Sequence, residues 1–230
     1  MPADLGHSYL SSRALPVNHN PNTLDYTARQ EDLLVFARYP ELGKVKTRLA
    51  AGIGPEQALQ VYRELLAHTQ AVAAPLAVRK WLWLAEAGPA ADRSDTWAGY
   101  QPLPQPAGDL GHRMQTAFAH SFAQGAAAAV IIGTDCPGLT TAHLEQAYTA
   151  LHTHDVVLGP ATDGGYYLLG MKAVWPALFE NKPWSTNAVL SETLAAAKLA
   201  GLQVHLLPKL RDVDTAEDLW AWQEAEKQSS

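Results

Sequence analysis

The chain has 230 residues, 47% hydrophobic and 17% charged, which are the proportions of a globular protein with a substantial core and exclude a disordered or fibrous chain. Its 17 Lys and Arg against 23 Asp and Glu give a formal charge of -6, a field that repels polyanions and excludes nucleic acid as the main partner, while leaving room for a local basic pocket. The single cysteine, Cys136, excludes an internal disulfide framework and a Cys-rich zinc site, and no stretch approaches the ~18 uninterrupted apolar residues of a membrane span.

Residues 1–30 are rich in Pro, Asn, Ser and His and have no sustained period. They read as a poorly ordered N-terminal extension, without the charged start and apolar run of a signal peptide, ahead of one domain over 31–230 of a cytoplasmic protein. DLLVFAR from Asp32 reads as a strand, followed by a polar loop. Pro55 to about Ala74 reads as a helix, with Ala58, Tyr62, Leu65 and Leu66 on one face. Residues 78–85 read as a strand, 88–108 as a Pro-rich stretch with little pattern, and the face made by Met114, Ala117, Phe118, Ser121 and Phe122 as a helix. Ala128 to Gly133 reads as a buried strand, and a helix capped by Thr140 or Thr141 runs to about His152. Asp155 to Gly159 and Tyr166 to Met171 are further strands. A helix from about Thr186 to near Gly201, a strand over Gln203 to Leu207 and a helix over Thr215 to about Lys227 complete the chain. Strands spaced by helices imply a mainly parallel or mixed sheet covered on both faces, with ligands bound beyond the carboxyl ends of the strands.

Four polar clusters fall at those ends. In ARYPELGKVKTRLA, Lys44, Lys46 and Arg48 concentrate three cations after Gly43, which reads equally as a phosphate clamp or a solvated basic loop. In VIIGTDCPGL, Asp135 stands at the tip of a central strand, either as a ligand for Mg²⁺ or Mn²⁺ or as an Asx-turn residue. In PATDGGYYLLG, Asp163 precedes a Gly pair, which makes a good turn but in a connection longer than a minimal hairpin needs. In LRDVDTAEDL, Asp212 and Asp214 alternate, so an extended segment turns only one of them toward a given ligand. Thr215 and Asp218 can form a capping box, leaving Asp214 available. Cys136 has no local base partner and reads as a small buried side chain, and His112 and the other histidines lack metal-ligand spacing.

Taken in order, FARYPELGKVKTRLA, GDLGHRM, GTDCPGL, GPATDGGYYLLG, PWSTNAVL and DVDTAEDL resemble a bacterial glycosyltransferase-like family. The family is of the arsenosugar-biosynthesis and selenodomain-associated transferase type, within the GT-A superfamily of nucleotide-diphospho-sugar transferases. The resemblance spans roughly residues 31–225. It implies a three-layer α/β/α, Rossmann-like fold with a mainly parallel mixed sheet, a nucleotide half and an acceptor half. It also implies metal-dependent transfer of a sugar from a nucleotide-diphospho-sugar donor to a small-molecule acceptor, with Mg²⁺ or Mn²⁺ as cofactor. Carried over by motif, Asp135 and Asp214 are the metal-binding carboxylates. Lys44, Lys46, Arg48 and Arg113 meet the nucleotide phosphates. Asp163 is the general base or orients the acceptor hydroxyl, beside an acceptor side made of Gly164, Gly165, Trp184, Ser185 and Thr186. The chain departs from the family pattern in having the single Asp135 of Thr-Asp-Cys where GT-A enzymes carry D-x-D, and in lacking a G-x-G loop near Lys44. The same residues serve a nucleotidyltransferase that joins a nucleoside triphosphate to a phosphorylated small molecule with release of pyrophosphate. An inactive nucleotide-binding domain is a third reading.

Overall fold

The computed structural model describes residues 30–85 and 97–229. The expected N-terminal extension lies outside the described residues except for Gln30, as does part of the Pro-rich stretch after residue 85. Seven strands form one sheet: β1 (Glu31–Ala37), β2 (Arg79–Leu84), β3 (Tyr100–Pro104), β4 (Ala128–Ile132), β5 (Val156–Pro160), β6 (Tyr166–Met171) and β7 (Val204–Leu206). Six helices connect and cover them: α1 (Thr47–Ile53), α2 (Pro55–Ala73), α3 (Leu110–Ala123), α4 (Thr141–Leu151), α5 (Val189–Leu199) and α6 (Ala216–Ser229), with a 3₁₀ turn at Pro176–Leu178.

The strand order is β3-β2-β1-β4-β6-β5-β7. β1 pairs in parallel with β2 and β4, as do β2 with β3 and β5 with β7, while β6 runs antiparallel between β4 and β5. This is the mainly parallel mixed sheet that the sequence implies. The central strands are apolar on both faces, as strands covered by helices on both sides must be. In β1, Leu33 and Val35 pack with Tyr62, Leu66, Leu144 and Tyr148 of α2 and α4, whereas Leu34 packs with Met114 and Phe118 of α3. A third cluster, with Leu49, Leu65, Val213 and Leu219, ties α1, α2 and α6 together. Among the described residues no helix is long and apolar enough to cross a membrane.

Three elements differ from the sequence reading. α1 was expected as loop; it buries only Leu49, so it has no apolar stripe to reveal it. β3 lies in the stretch read as unpatterned, because as an edge strand paired only with β2 it tolerates Pro102 and Pro104, which a central strand would not. The helix expected from about Thr186 begins at Val189, after a turn held by the Thr186 hydroxyl, which donates to the Pro183 carbonyl at 2.7 Å.

At the amino end of β1, Asp32 is fully buried. Its carboxylate accepts from Arg79 Nε at 2.9 Å and Nη2 at 2.8 Å, from Trp81 Nε1 at 2.8 Å and from the Ser121 hydroxyl. A buried charge is tolerated only when paired and hydrogen-bonded in this way, and these partners join β1, β2 and α3 at the end of the sheet away from the polar clusters.

Candidate functional site

All four polar clusters converge at the carboxyl ends of β1, β4, β5 and β7. The chain leaves β1 at Ala37 and enters α1 through Lys46, whose backbone is left-handed (φ 49°, ψ 44°). That unusual conformation for a side chain larger than glycine turns the ammonium inward. The Lys46 side chain is 4% exposed, and Nζ donates to Asp135 Oδ1 at 2.7 Å and to the Val213 carbonyl at 2.7 Å. Arg48, two residues on, pairs through Nη1 with Asp214 Oδ2 at 2.5 Å, with both side chains largely in solvent. The Val213 amide donates to the Asp135 carbonyl at 2.8 Å, and the Val213 side chain is fully buried between α1, α2 and α6. The apolar anchor at Val213 thus holds Asp212 and Asp214 against the Asp135 turn. α6 starts as expected: Asp218 accepts from the Thr215 amide at 3.0 Å and the Asp218 amide donates to the Thr215 hydroxyl at 3.3 Å, a reciprocal cap that leaves Asp214 to Arg48.

β5 and β6 form a hairpin, and Asp163 does have its turn role: Oδ1 accepts from the Gly165 amide at 2.8 Å. Asp163 is nevertheless exposed and faces a cavity. Gly164 explains the longer connection. Its φ is 90°, its carbonyl accepts from the Leu190 amide at 2.9 Å, and a Cβ there would stand 2.2 Å from the Asn187 carbonyl oxygen. The hairpin tip therefore packs on the backbone at the start of α5. Gly164→Ala is expected to combine backbone strain with that clash and to lower stability by at least about 1–3 kcal/mol, readable as a shift of the urea midpoint.

Two cavities share Asp135, Arg48 and Asp214. The larger, about 660 Å³, is bordered by Arg38, Lys44, Lys46, Tyr62, Gln105 and Arg113, and also by Ser185. The smaller, about 370 Å³, is bordered by Thr162, Asp163, Arg211, Asp212 and Asp218. Every residue expected to meet phosphate borders the first cavity, and Asp163 borders the second. Lys46 and Ser185 (φ 64°) are two of the three described non-glycine residues with positive φ, and both border the larger cavity. Such strain persists where surrounding structure enforces it, often at ligand sites. Trp184, Gly164, Gly165 and Thr186 are not among the residues lining either cavity. Trp184 instead packs under α3, where a Cβ on Gly111 would come within 2.5 Å of its ring.

Asp212 and Asp214 both border the smaller cavity, which corrects the expectation that only one of them faces a given ligand. Residues 211–214 are not a strand, so the alternation rule does not govern them. Burial, then the charges of Asp135 and Asp163, push the Asp212 carboxyl up to about 7, with Asp214 adding to the rise and Lys46 opposing it. Between the unfolded value near 4 and this folded value, the folded chain holds the extra proton, so this group's contribution to stability is lost as pH rises from about 4 to about 7. Asp212→Asn is expected to flatten that part of the stability profile, measured by chemical unfolding in chelator. Asp212 carries no local sign of this behaviour in the sequence, because its environment is made by three other loops. Tyr62 stands on the buried face of α2. Its hydroxyl accepts from the Arg38 amide at 2.9 Å, donates to the Arg38 carbonyl at 3.1 Å, and is pushed up to about 12 by burial. Cys136 is buried, and burial beside Asp212 pushes its thiol up to about 12, so it is no ready nucleophile.

Among the described residues no group of three His, Cys, Asp or Glu side chains forms a complete metal centre. The donor set still fits a hard cation. Asp135 and Asp214 border both cavities, and the crowding that raises Asp212 is repulsion a cation would relieve. Mg²⁺ commonly takes one or two protein carboxylates and completes its shell with substrate phosphate oxygens and water.

The family model described as "Uncharacterized protein conserved in bacteria (DUF2064)" matches residues 64–186. No curated protein is similar to the chain in sequence. In structure the chain is similar to a provisionally named nucleotide-diphospho-sugar transferase from Desulfovibrio desulfuricans G20, at 32% identity and a TM-score of 0.82, covering 87% of this chain and 89% of that one. Two more distant structures share the fold. One is the 4-diphosphocytidyl-2C-methyl-D-erythritol synthase of Anaerococcus prevotii DSM 20548 (9% identity, TM-score 0.56, covering 87% and 96%). The other is the glucosyl-3-phosphoglycerate synthase of Mycobacterium tuberculosis, solved with Mn²⁺, uridine diphosphate and glucosyl-3-phosphoglycerate (10% identity, TM-score 0.52, covering 80% and 71%). The fold is thus that of the nucleotide-diphospho-sugar transferases.

Proposed function

The chain belongs to the DUF2064 family, and from that premise we propose that it transfers a sugar from a nucleotide-diphospho-sugar to a small-molecule acceptor. The observation that carries this reading is a pair of cavities sharing Asp135, Arg48 and Asp214, the larger ringed by cations and the smaller by carboxylates. The 660 Å³ cavity has the size of a small-molecule site, and Lys44, Arg48 and Arg113 supply positive charge for a diphosphate. Lys46 acts less on the phosphates than on Asp135, whose carboxylate it orients from a buried position. Asp135 and Asp214 would hold Mg²⁺ or Mn²⁺, which when bound neutralises diphosphate charge as that group leaves.

In the smaller cavity, Asp163 has one oxygen engaged by the Gly165 amide, which fixes the carboxylate and leaves the other oxygen for an acceptor hydroxyl. As the acceptor oxygen bonds to the anomeric carbon, the bond to the nucleoside diphosphate breaks and Asp163 takes the hydroxyl proton. Asp163→Asn is expected to lower turnover at least tenfold with donor binding kept. The arsenosugar and selenodomain subtype and a cytoplasmic site belong to the same reading.

A second reading is supported by Asp135 and Asp214 bordering one cavity, an arrangement that serves nucleotidyl transfer equally. Product analysis separates the two: a free nucleoside diphosphate accompanies sugar transfer, and pyrophosphate accompanies nucleotidyl transfer. The primary test is a thermal-shift panel of nucleoside diphosphates, triphosphates and nucleotide sugars with and without Mn²⁺. A true ligand at a hundred times its Kd adds about 2.7 kcal/mol, and absence of any stabilisation across the panel would sink both readings.

A further inference from the structure

Three side chains border both cavities: the carboxylates of Asp135 and Asp214 and, of all the cations lining either cavity, Arg48 alone. Each carboxylate is paired with a cation from the same loop, but the two pairs are held differently. Lys46 is 4% exposed and has two acceptors, Asp135 Oδ1 and the Val213 carbonyl. A buried ammonium that gave up its carboxylate would be left with an uncompensated charge, so this pair stays closed. Arg48 is 72% exposed, and among the described residues Asp214 Oδ2 is the only group its side chain bonds. An exposed pair of this kind is weak, because water solvates both partners once they separate. Asp214 stays in place without Arg48: Val213 before it is fully buried, and its own amide donates to Asp218 Oδ2 at 3.3 Å.

We infer that Arg48 is an exchangeable counter-ion with two stations. Before nucleotide binds, it neutralises Asp214 at the junction of the two cavities. When a diphosphate enters the larger cavity, Arg48 turns to the phosphate oxygens and leaves Asp214 open to a divalent cation. The identity of the diphosphate and the cation rests on the transfer reading; the pairing of Arg48 with Asp214 does not. A diphosphate carries more charge than one carboxylate and offers the guanidinium a forked contact, whereas Asp214 receives a single bond from Nη1. Arg48 already borders the larger cavity, so a side-chain rotation suffices. The other cations of that cavity do not substitute for it. Lys44 pairs with Glu41 at 2.9 Å, Arg113 Nε donates to the Gly108 carbonyl at 2.9 Å, and neither borders the smaller cavity. Arg48 therefore opposes divalent-cation binding in the free chain and stops opposing it once nucleotide is present, which makes the two ligands cooperative.

The test titrates the full chain with two probes, each alone: Mn²⁺, read by the paramagnetic resonance signal of the free ion, and pyrophosphate in chelator, read by calorimetry. In Arg48→Gln the two affinities are expected to move in opposite directions. Mn²⁺ should bind about two- to fivefold more tightly, the fold-change that an exposed ion pair represents, and pyrophosphate about fivefold or more weakly. The Mn²⁺ gain should vanish when Asp214→Asn is added. Lys44→Gln separates the contact from the general field, since it removes a charge from the same loop without touching Asp214; it should weaken pyrophosphate and gain less for Mn²⁺ than Arg48→Gln. Unchanged Mn²⁺ affinity in Arg48→Gln, an equal gain in Lys44→Gln, or a gain that survives Asp214→Asn would overturn the exchange and keep the metal reading. Unchanged pyrophosphate binding in Arg48→Gln removes the second station and overturns it as well. No Mn²⁺ binding to either the wild type or Arg48→Gln overturns the exchange and the metal reading together. Both shifts in a chain that no nucleotide sugar stabilises would keep the exchange and remove the transfer reading.

Discussion

Asp135→Asn is expected to lower turnover by about 10³-fold while leaving the fold stable, measured as kcat beside a urea unfolding curve. The two readouts separate because Asp135 has two roles. Its carboxylate accepts from the buried Lys46 ammonium, and an amide oxygen in the same place still accepts that bond. An amide carries no charge, however, so it neither binds a divalent cation well nor holds the electrostatic pattern that a leaving diphosphate requires. Asp135→Ala removes both functions and leaves Lys46, 4% exposed, with only the Val213 carbonyl, at a cost of about 1–3 kcal/mol. Adding Lys46→Met to Asp135→Ala should recover most of that stability and none of the turnover. Full activity in Asp135→Asn would remove Asp135 from the chemistry and reduce it to a tether for Lys46.

The largest effect on stability is expected at the opposite end of the sheet, in the neighbouring strand β1. Asp32→Ala leaves the Arg79 guanidinium, the Trp81 indole N–H and the Ser121 hydroxyl around an apolar hole, and removal of one member of a buried ion pair costs about 3–5 kcal/mol. In a chain of this length that is a fall of roughly 10 °C in melting temperature. Activity per folded molecule should be unchanged, because Asp32 lies five residues before Ala37, or about 17 Å along the strand from the site end. A variant with wild-type melting temperature would show that the Asp32 network contributes specificity of packing and little stability. Together the two aspartates, on the paired parallel strands β1 and β4, test a division within the sheet, its amino end holding the elements together and its carboxyl end presenting the reaction cleft.

Much of this was legible before the structure. The continuous apolar runs of β1, β4 and β5 are visible because a strand covered on both faces must be apolar throughout. The capping box of Thr215 and Asp218 is visible because its partners are three residues apart. Asp163 as a turn residue was legible for the same reason, and the structure adds that the turn aims it at a cavity. The Gly164–Gly165 pair is visible in the sequence, but the cause of Gly164, the Asn187 backbone, lies 23 positions further along the chain and leaves no local mark. Trp184 was expected at the acceptor side on the strength of its motif, yet its ring packs against Gly111 beneath α3. An aromatic side chain next to a polar loop has the same sequence signature whether it faces a ligand or the core.

By itself the sequence determined the alternation of strands and helices, the apolar core and four charged loops at strand ends. These follow from periodicity and turn chemistry over a few residues. Only the tertiary structure decided that β6 inserts antiparallel between β4 and β5, and that Lys46 reaches Val213 across 167 residues and Arg48 reaches Asp214 across 166. It alone revealed the charged neighbours of Asp212. Charge pairing, desolvation and cavity shape arise between segments that the chain brings together in folding, so no short stretch carries them.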